Sequence, residues 1–337
     1  MKKIVLILIC IFLFSLVGCN KKVNDTNAAV HKKVKLDYPI HLSDKVLDNT
    51  SDITEDDNFI YYSDKNGINK LNKKSGQNRL ILKEKNVDEL GLSEKYIFFS
   101  VGSGKNMIIF RTDKKGKQYF KVFDGKDIPE KYRLPNFSYS LNEDNLYIKS
   151  GDAVFLYDMT SGKLKLLCND VEKFQIHDGF MCYRDHAQRT FTIYKTRLDD
   201  MNTQIILGNG LSEPNKNIYD DFIFVGNDLY YTKRLLDSSN TYFTSTLYKQ
   251  NGEKEINIYK NNEVIEESLT EYKGYIYFVT SVSDNKNKLM RYDPKDDIIS
   301  QAAYINDVVY TNGTINIVNG YFYYDGKNGK TKCVKLK

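Results

Sequence analysis

Seven times along the chain a short unbroken apolar run follows a polar turn. The runs are "FIYYS" from Phe59, "YIFFS" from Tyr96, "LYIKS" from Leu146, "FMCYR" from Phe180, "LYYTK" from Leu229, "YIYFV" from Tyr275 and "YFYYD" from Tyr321. Successive runs begin 34 to 50 residues apart. After the run a loop leads to an alternating segment closed by Asn, Asp and Gly, as in "GINKLNKKSGQ", "IIFRTDKKGKQ" and "VFLYDMTSGK". Those residues suit the positive-φ positions of hairpin turns. A further strand-like segment follows, from "NRLIL" and "YFKVF" to "EINIY" and "IISQAA". A weaker one precedes the run, as in "VDELGLS" and "DFIFVG".

Four strands of about five residues, with their turns, fill a unit of this length. A period in the forties built from short strands is the signature of a β-propeller. The pattern predicts an all-β fold of seven four-stranded blades over residues 34–337, with six blades as the alternative because the unit at Leu146 is short. An inner strand covered on both faces by neighbouring blades buries both side-chain directions, so it reads as a continuous apolar run. Outer strands are expected to be half-exposed and to alternate. Tyr61, Tyr62, Tyr231, Tyr277, Tyr323 and Tyr324 are expected to fill the wedges between blades, their hydroxyls reaching polar partners. The last unit, "YFYYDGKNGKTKCVKLK", lacks a fourth strand. "VKLDYPIHL", Val34–Leu42, is expected to supply it as the outer strand of the last blade, closing the ring and hiding its edges.

The N-terminus changes the picture of where the fold resides. "MKKIVLILICIFLFSLVGCN" has a basic start, Lys2 and Lys3, and an apolar stretch short for a transmembrane helix, which together read as a signal peptide. Leu16, Val17, Gly18 and Cys19 resemble the lipobox of bacterial lipoproteins. That resemblance implies cleavage after residue 18 and lipidation of Cys19, with two or more acyl chains giving stable membrane attachment. Residues 19–33 have no apolar period and read as a flexible tether. The expected location is the extracytoplasmic face of a bacterial cell membrane. The Asn, Lys and Ile bias fits a low-GC, single-membrane bacterium.

The repeats, with their "YIYY…G…I…LN…G" pattern, resemble bacterial lipoproteins that carry a propeller domain of unknown function. That domain is related in pattern to the YWTD propellers of low-density-lipoprotein receptors and to TolB-like propellers. The YWTD tetrad itself is absent, "YYSD" at Tyr61–Asp64 coming closest. The resemblance implies architecture and a binding role, and it transfers no functional residue.

Charge and cysteines narrow the classes further. The formal charge is +5, and residues 1–18 contribute two of those positive charges and no acid. Scattered lysines make no concentrated basic face of the kind nucleic acid requires. Of five cysteines, Cys168, Cys182 and Cys333 belong to the fold. They lie in apolar runs and read as small buried hydrophobes; a Cys168–Cys182 disulfide is the alternative outside the cytoplasm. Neither they nor His31, His41, His177 and His186 make a zinc spacing, so no metal or other cofactor is expected.

Catalytic signatures are sparse. No Trp is present, and neither the sialidase box nor a G-x-S-x-G hydrolase elbow occurs. The acid pairs Asp56–Asp57, Asp199–Asp200, Asp220–Asp221 and Asp296–Asp297 read as turn residues. "HDGFMCYRDHAQR" gathers His177, Arg184, Asp185, His186 and Arg189, which are candidate ligand-binding residues at one rim. The loops Leu235–Tyr242 and Ser281–Lys288 join second to third strands and gather on one face, where propeller function resides on loops over a rigid scaffold. The expected role is a non-catalytic binding or scaffolding propeller for a protein, a peptide or an envelope glycan. The alternatives are a glycan-acting hydrolase or lyase using funnel carboxylates, and a structural spacer.

Overall fold

The computed structural model describes residues 50–134, 137–142, 145–185, 192–208, 217–236, 242–251, 254–259, 265, 269–283, 286–305, 315–325 and 331–337. Strands in these segments form seven antiparallel sheets in chain order, six of four strands and one of three. The blades occupy residues 50–82, 87–124, 137–168, 171–207, 217–259, 270–305 and 316–335. The unit at Leu146 is a regular blade: Phe137–Asn142, Asn145–Ser150, Ala153–Asp158 and Lys163–Cys168 pair in sequence. The protein is thus a seven-bladed β-propeller. Three short 3-10 turns are the only helical elements among the described residues. The seventh blade comprises Asn316–Val318, Tyr321–Asp325 and Thr331–Lys335. The expected completing strand, Val34–Leu42, lies outside the described residues, as do the signal peptide, Cys19 and the tether.

Each apolar run is the second strand of its blade, and its side chains divide between two neighbours. In Phe59–Asp64, Tyr61 joins a cluster with Val87, Ile97 and Phe99 of blade 2. Ile60 and Tyr62, on the other face of the same strand, meet Val318, Tyr321 and Tyr323 of blade 7. Phe98 turns towards Leu146 and Ile148 of blade 3. Tyr231 meets blade 4, whereas the adjacent Tyr230 meets blade 6. The seven hydrophobic clusters fall one to each of the seven interfaces, so the core lies between blades and the seventh interface joins the last blade to the first. Burying a large apolar side chain in this way contributes about 1.5–3 kcal/mol.

Three of the named tyrosines carry their hydroxyls to partners as expected. Tyr61 donates to Asp56 at 3.0 Å and Tyr231 to Glu255 at 2.6 Å, while Tyr62 accepts from Asn78 at 2.5 Å. Tyr324 is only partly buried. The outer strands depart from strict alternation. Asn78–Leu82, Tyr119–Asp124 and Lys254–Tyr259 are exposed at their beginnings and more covered at their ends. A register shift between third and fourth strands recurs in all six four-stranded blades, as at Ile68/Asn69 and Leu289/Met290. Such bulges increase the twist, which swings the start of the outer strand away from the neighbouring blade.

Cys182 is buried, whereas Cys168 and Cys333 are half-covered, and Cys168 and Cys182 are free thiols rather than a disulfide pair. Burial pushes the Cys168 and Cys182 thiols up to about 12.

Contacts from one blade to the next run largely between first strands, so these line the axis. Polar staples complete the seam between blades 6, 7 and 1. Tyr272 donates to Glu55 at 2.8 Å, and the amide of Asn319 donates to the same carboxylate at 2.9 Å. Asn316 Nδ2 donates to the Ile53 carbonyl at 3.4 Å, across 263 residues of chain.

Candidate functional site

First strands all begin on one face of the ring, here the upper face, and end on the lower. Near their upper ends, four of them bulge at equivalent places: Thr50/Asp52, Val87/Leu90, Val171/Lys173 and Tyr219/Asp221. A bulge inserts an unpaired residue and re-aims side chains, which is why bulges accumulate beside functional sites. Here each one places charged residues at the axial mouth: Asp52 in blade 1, Asp88 and Glu89 in blade 2, Glu172 and Lys173 in blade 4, and Asp220 and Asp221 in blade 5.

Asp52 and Asp221 are used alike. Asp52 accepts from its neighbour Ile53 at 2.8 Å and from the amide of Leu90 in the next blade at 2.5 Å. Asp221 accepts from Phe222 at 2.8 Å and from Leu269, leading into the next blade, at 2.5 Å. The difference lies in counter-charge. Asp221 pairs with Lys173, Asp220 with Arg234, and Glu172 with Arg184 at 2.6 Å. Asp52 and Glu89 have no cation partner among the described residues. Burial pushes the Asp52 carboxyl up to about 6 and, with Asp52 and Asp88 as neighbouring charges, pushes Glu89 up to about 8. Glu89 Oε2 is shielded from solvent and has no hydrogen-bond partner among the described residues. Tyr139 of blade 3 caps this corner, its hydroxyl donating to the Glu89 carbonyl at 3.1 Å. Burial also lowers the pKa of Lys149, which donates to the Gly151 carbonyl at 2.5 Å. The mouth is thus polarised: acids without counter-ions on blades 1 and 2, ion-paired charges on blades 4 and 5.

Among the described candidates from "HDGFMCYRDHAQR", His177 lies apart from Arg184 and Asp185. His177 pairs with Phe180 at the lower end of blade 4, where it stacks on Phe224 with centroids 5.0 Å apart and lies 3.2 Å from Asp178. Arg184 and Asp185 sit at the upper end, opposite Lys173 and Val171. The Arg184 guanidinium donates to the carbonyls of Tyr219 and Asp220, tying blade 4 to blade 5. Asp185 accepts from the Thr192 amide at 3.1 Å, bracing the turn between second and third strands. His186 and Arg189 lie outside the described residues.

Asp220–Asp221 is a correction: the pair lies inside the strand Asn217–Val225, at its bulge, rather than in a turn. The two singled-out loops do join second to third strands, but the strands reach further into them than the sequence suggests. Blade 5 pairs out to Leu236 and Tyr242, and blade 6 out to Ser283 and Lys286. Among the described residues no three His, Cys, Asp or Glu side chains gather as a metal would need, and no helix is long and apolar enough to cross a membrane.

No family model and no curated protein matches the chain. Solved structures resemble it in fold at low identity. The β-propeller domain of the Trilobed protease from Pyrococcus furiosus superposes with a TM-score of 0.60 at 14% identity, covering 86% of this chain and 93% of that one. An oligogalacturonate lyase from Vibrio parahaemolyticus gives 0.60 at 9% identity, covering 82% and 84%. The tricorn protease gives 0.59 at 10% identity over 86% of this chain, which spans only 33% of that protease. At such identities the likeness carries the fold, and the fold is the β-propeller.

Proposed function

We propose that the protein is a membrane-tethered binding propeller on the outer face of a bacterial cell. Lipid on Cys19 attaches it, and the upper axial mouth receives a protein, peptide or envelope-glycan partner. The observation that carries this reading is the meeting of Asp52, Asp88 and Glu89 on adjoining first strands without a cation to neutralise them. Acids placed in this way, Asp88 exposed and Asp52 and Glu89 shielded, favour a partner rich in hydrogen-bonding groups, whether ammonium groups or hydroxyls. The other charges at the mouth hold blades 4 and 5 in place, so the acids stand on a rigid frame.

A glycan-cleaving activity is the second reading, and one feature favours it. Glu89 keeps its proton at neutral pH beside a more acidic Asp52, the inequality that acid–base pairs exploit.

A photo-crosslinking residue in place of the exposed Asp88, in the full chain on intact cells, tests both. The expected result is one discrete adduct, greatly reduced when Glu89→Gln is added, with the protein lost from the membrane fraction in Cys19→Ala. No specific adduct would leave the chain a spacer. Release of fragments from envelope glycan by the purified chain, abolished by Glu89→Gln, would establish catalysis instead.

A further inference from the structure

A cavity of about 460 Å³ opens on the opposite, lower face, where blades 6, 7 and 1 meet. Its size falls within the range of small-molecule sites. One part of its polar lining is already engaged. Glu55 and Lys73 pair at 2.5 Å, and Glu55 also accepts from Tyr272 and from the Asn319 amide. Neutralised in this way, these groups offer little to a charged ligand.

The remaining groups are different. Asp57 is exposed at one side of the cavity, and Lys273 stands on another blade. Neither has an ion-pair partner among the described residues. Thr54 and Asn316 lie along the lining, and Asn316 uses one N–H on the Ile53 carbonyl, which leaves its own oxygen to accept. Lys273 also breaks a local rule. It occupies a left-handed turn position, φ 53°, where the matching turns of blades 4 and 7 carry Asp178 and Asn319. Asp and Asn are enriched in this conformation and lysine is not, although Met201 also adopts it elsewhere in the chain, φ 59°. Its ammonium is held 5.0 Å from the centroid of the Tyr272 ring, itself part of the cavity. An exposed lysine placed against its turn preference at the edge of a cavity, with no ion-pair partner among the described residues, is a candidate ligand contact.

We propose that this cavity is a second binding site, for short zwitterionic peptides. The terminal carboxylate meets Lys273, the terminal ammonium meets Asp57, and Thr54 and Asn316 serve the amides between. A ligand with a single charged end would leave one of the two rim groups uncompensated, so the arrangement selects for both ends together. The site is independent of the axial mouth and of the function proposed for it.

Calorimetric titration of the full-length chain with tri-alanine tests this. Saturable binding is expected, weakened about tenfold by N-acetylation and about tenfold by C-terminal amidation, the effect of losing one charged hydrogen bond. Lys273→Asn, which suits the turn, should bind free and amidated tri-alanine alike with no loss of Tm. Asp57→Asn should lose the preference for the free ammonium. Glu89→Gln should bind tri-alanine as the wild type does. The proposal is overturned by absence of saturation, by equal affinity for all capped forms, or by a Lys273→Asn variant that still prefers the free carboxylate. Loss of tri-alanine binding in Glu89→Gln would move the peptide to the upper mouth and overturn it too.

Discussion

Glu89 holds a proton at a pH where an unfolded glutamate has lost it. Burial is the main cause, and Asp52 and Asp88 add repulsion. The sign of the linkage follows. Between the ordinary glutamate value and about 8, the folded chain binds a proton that the unfolded chain has released, so stability falls as pH rises through that window. Asp52 adds a smaller decline, complete near pH 6. Glu89→Gln keeps the shape and removes the titration. The expected outcome is a shallower fall of Tm between pH 5 and pH 8 than in the wild type, with the variant the more stable of the two at pH 8. Thermal melts at four pH values suffice, and parallel curves for the two proteins would show that Glu89 titrates normally.

At the scale of the strand, legibility in the sequence followed burial. Second strands were plain because both faces are covered, so Phe59–Tyr62 and Tyr96–Phe99 run without a polar interruption. First strands were obscure because a bulge breaks their alternation, and that is where the mouth acids sit. Asp220–Asp221 looked like a turn for this reason. His177 and Arg184 looked like neighbours because they are close in sequence, yet a strand of six residues is about 20 Å long and carries them to opposite faces. Close approach between first strands yields a sharper test. A Cβ on Gly91 would lie 2.9 Å from Leu141 Cδ1 and 3.2 Å from the Tyr139 ring. Gly91→Ala is expected to cost about 1 kcal/mol, the low end of overpacking, because the Leu141 methyl can yield whereas the Tyr139 ring is held by its hydroxyl. A chemical-denaturation midpoint equal to that of the wild type would mean the two strands have room to yield.

For the whole molecule, the ring stands or falls at its seam. Tyr272→Phe removes the donor to Glu55 and the acceptor for the Gly320 amide. A loss of about 1–3 kcal/mol is expected, the range for removing a hydrogen bond to a charged group together with a neutral one. Every cluster is shared by two blades, so unfolding followed by tyrosine fluorescence and by far-ultraviolet circular dichroism should trace one transition. Blades melting in separate steps, as stacked linear repeats can, would contradict the shared interiors. Those interiors also govern how the chain acquires its structure as it emerges. Each blade has one bare side until its successor follows. Blade 1 waits longest, because Ile60, Tyr62 and Leu71 find their partners only when Val318, Tyr321 and Tyr323 have arrived. Until then a sticky aromatic flank faces the surroundings, so maturation must either be rapid at the end or be chaperoned throughout.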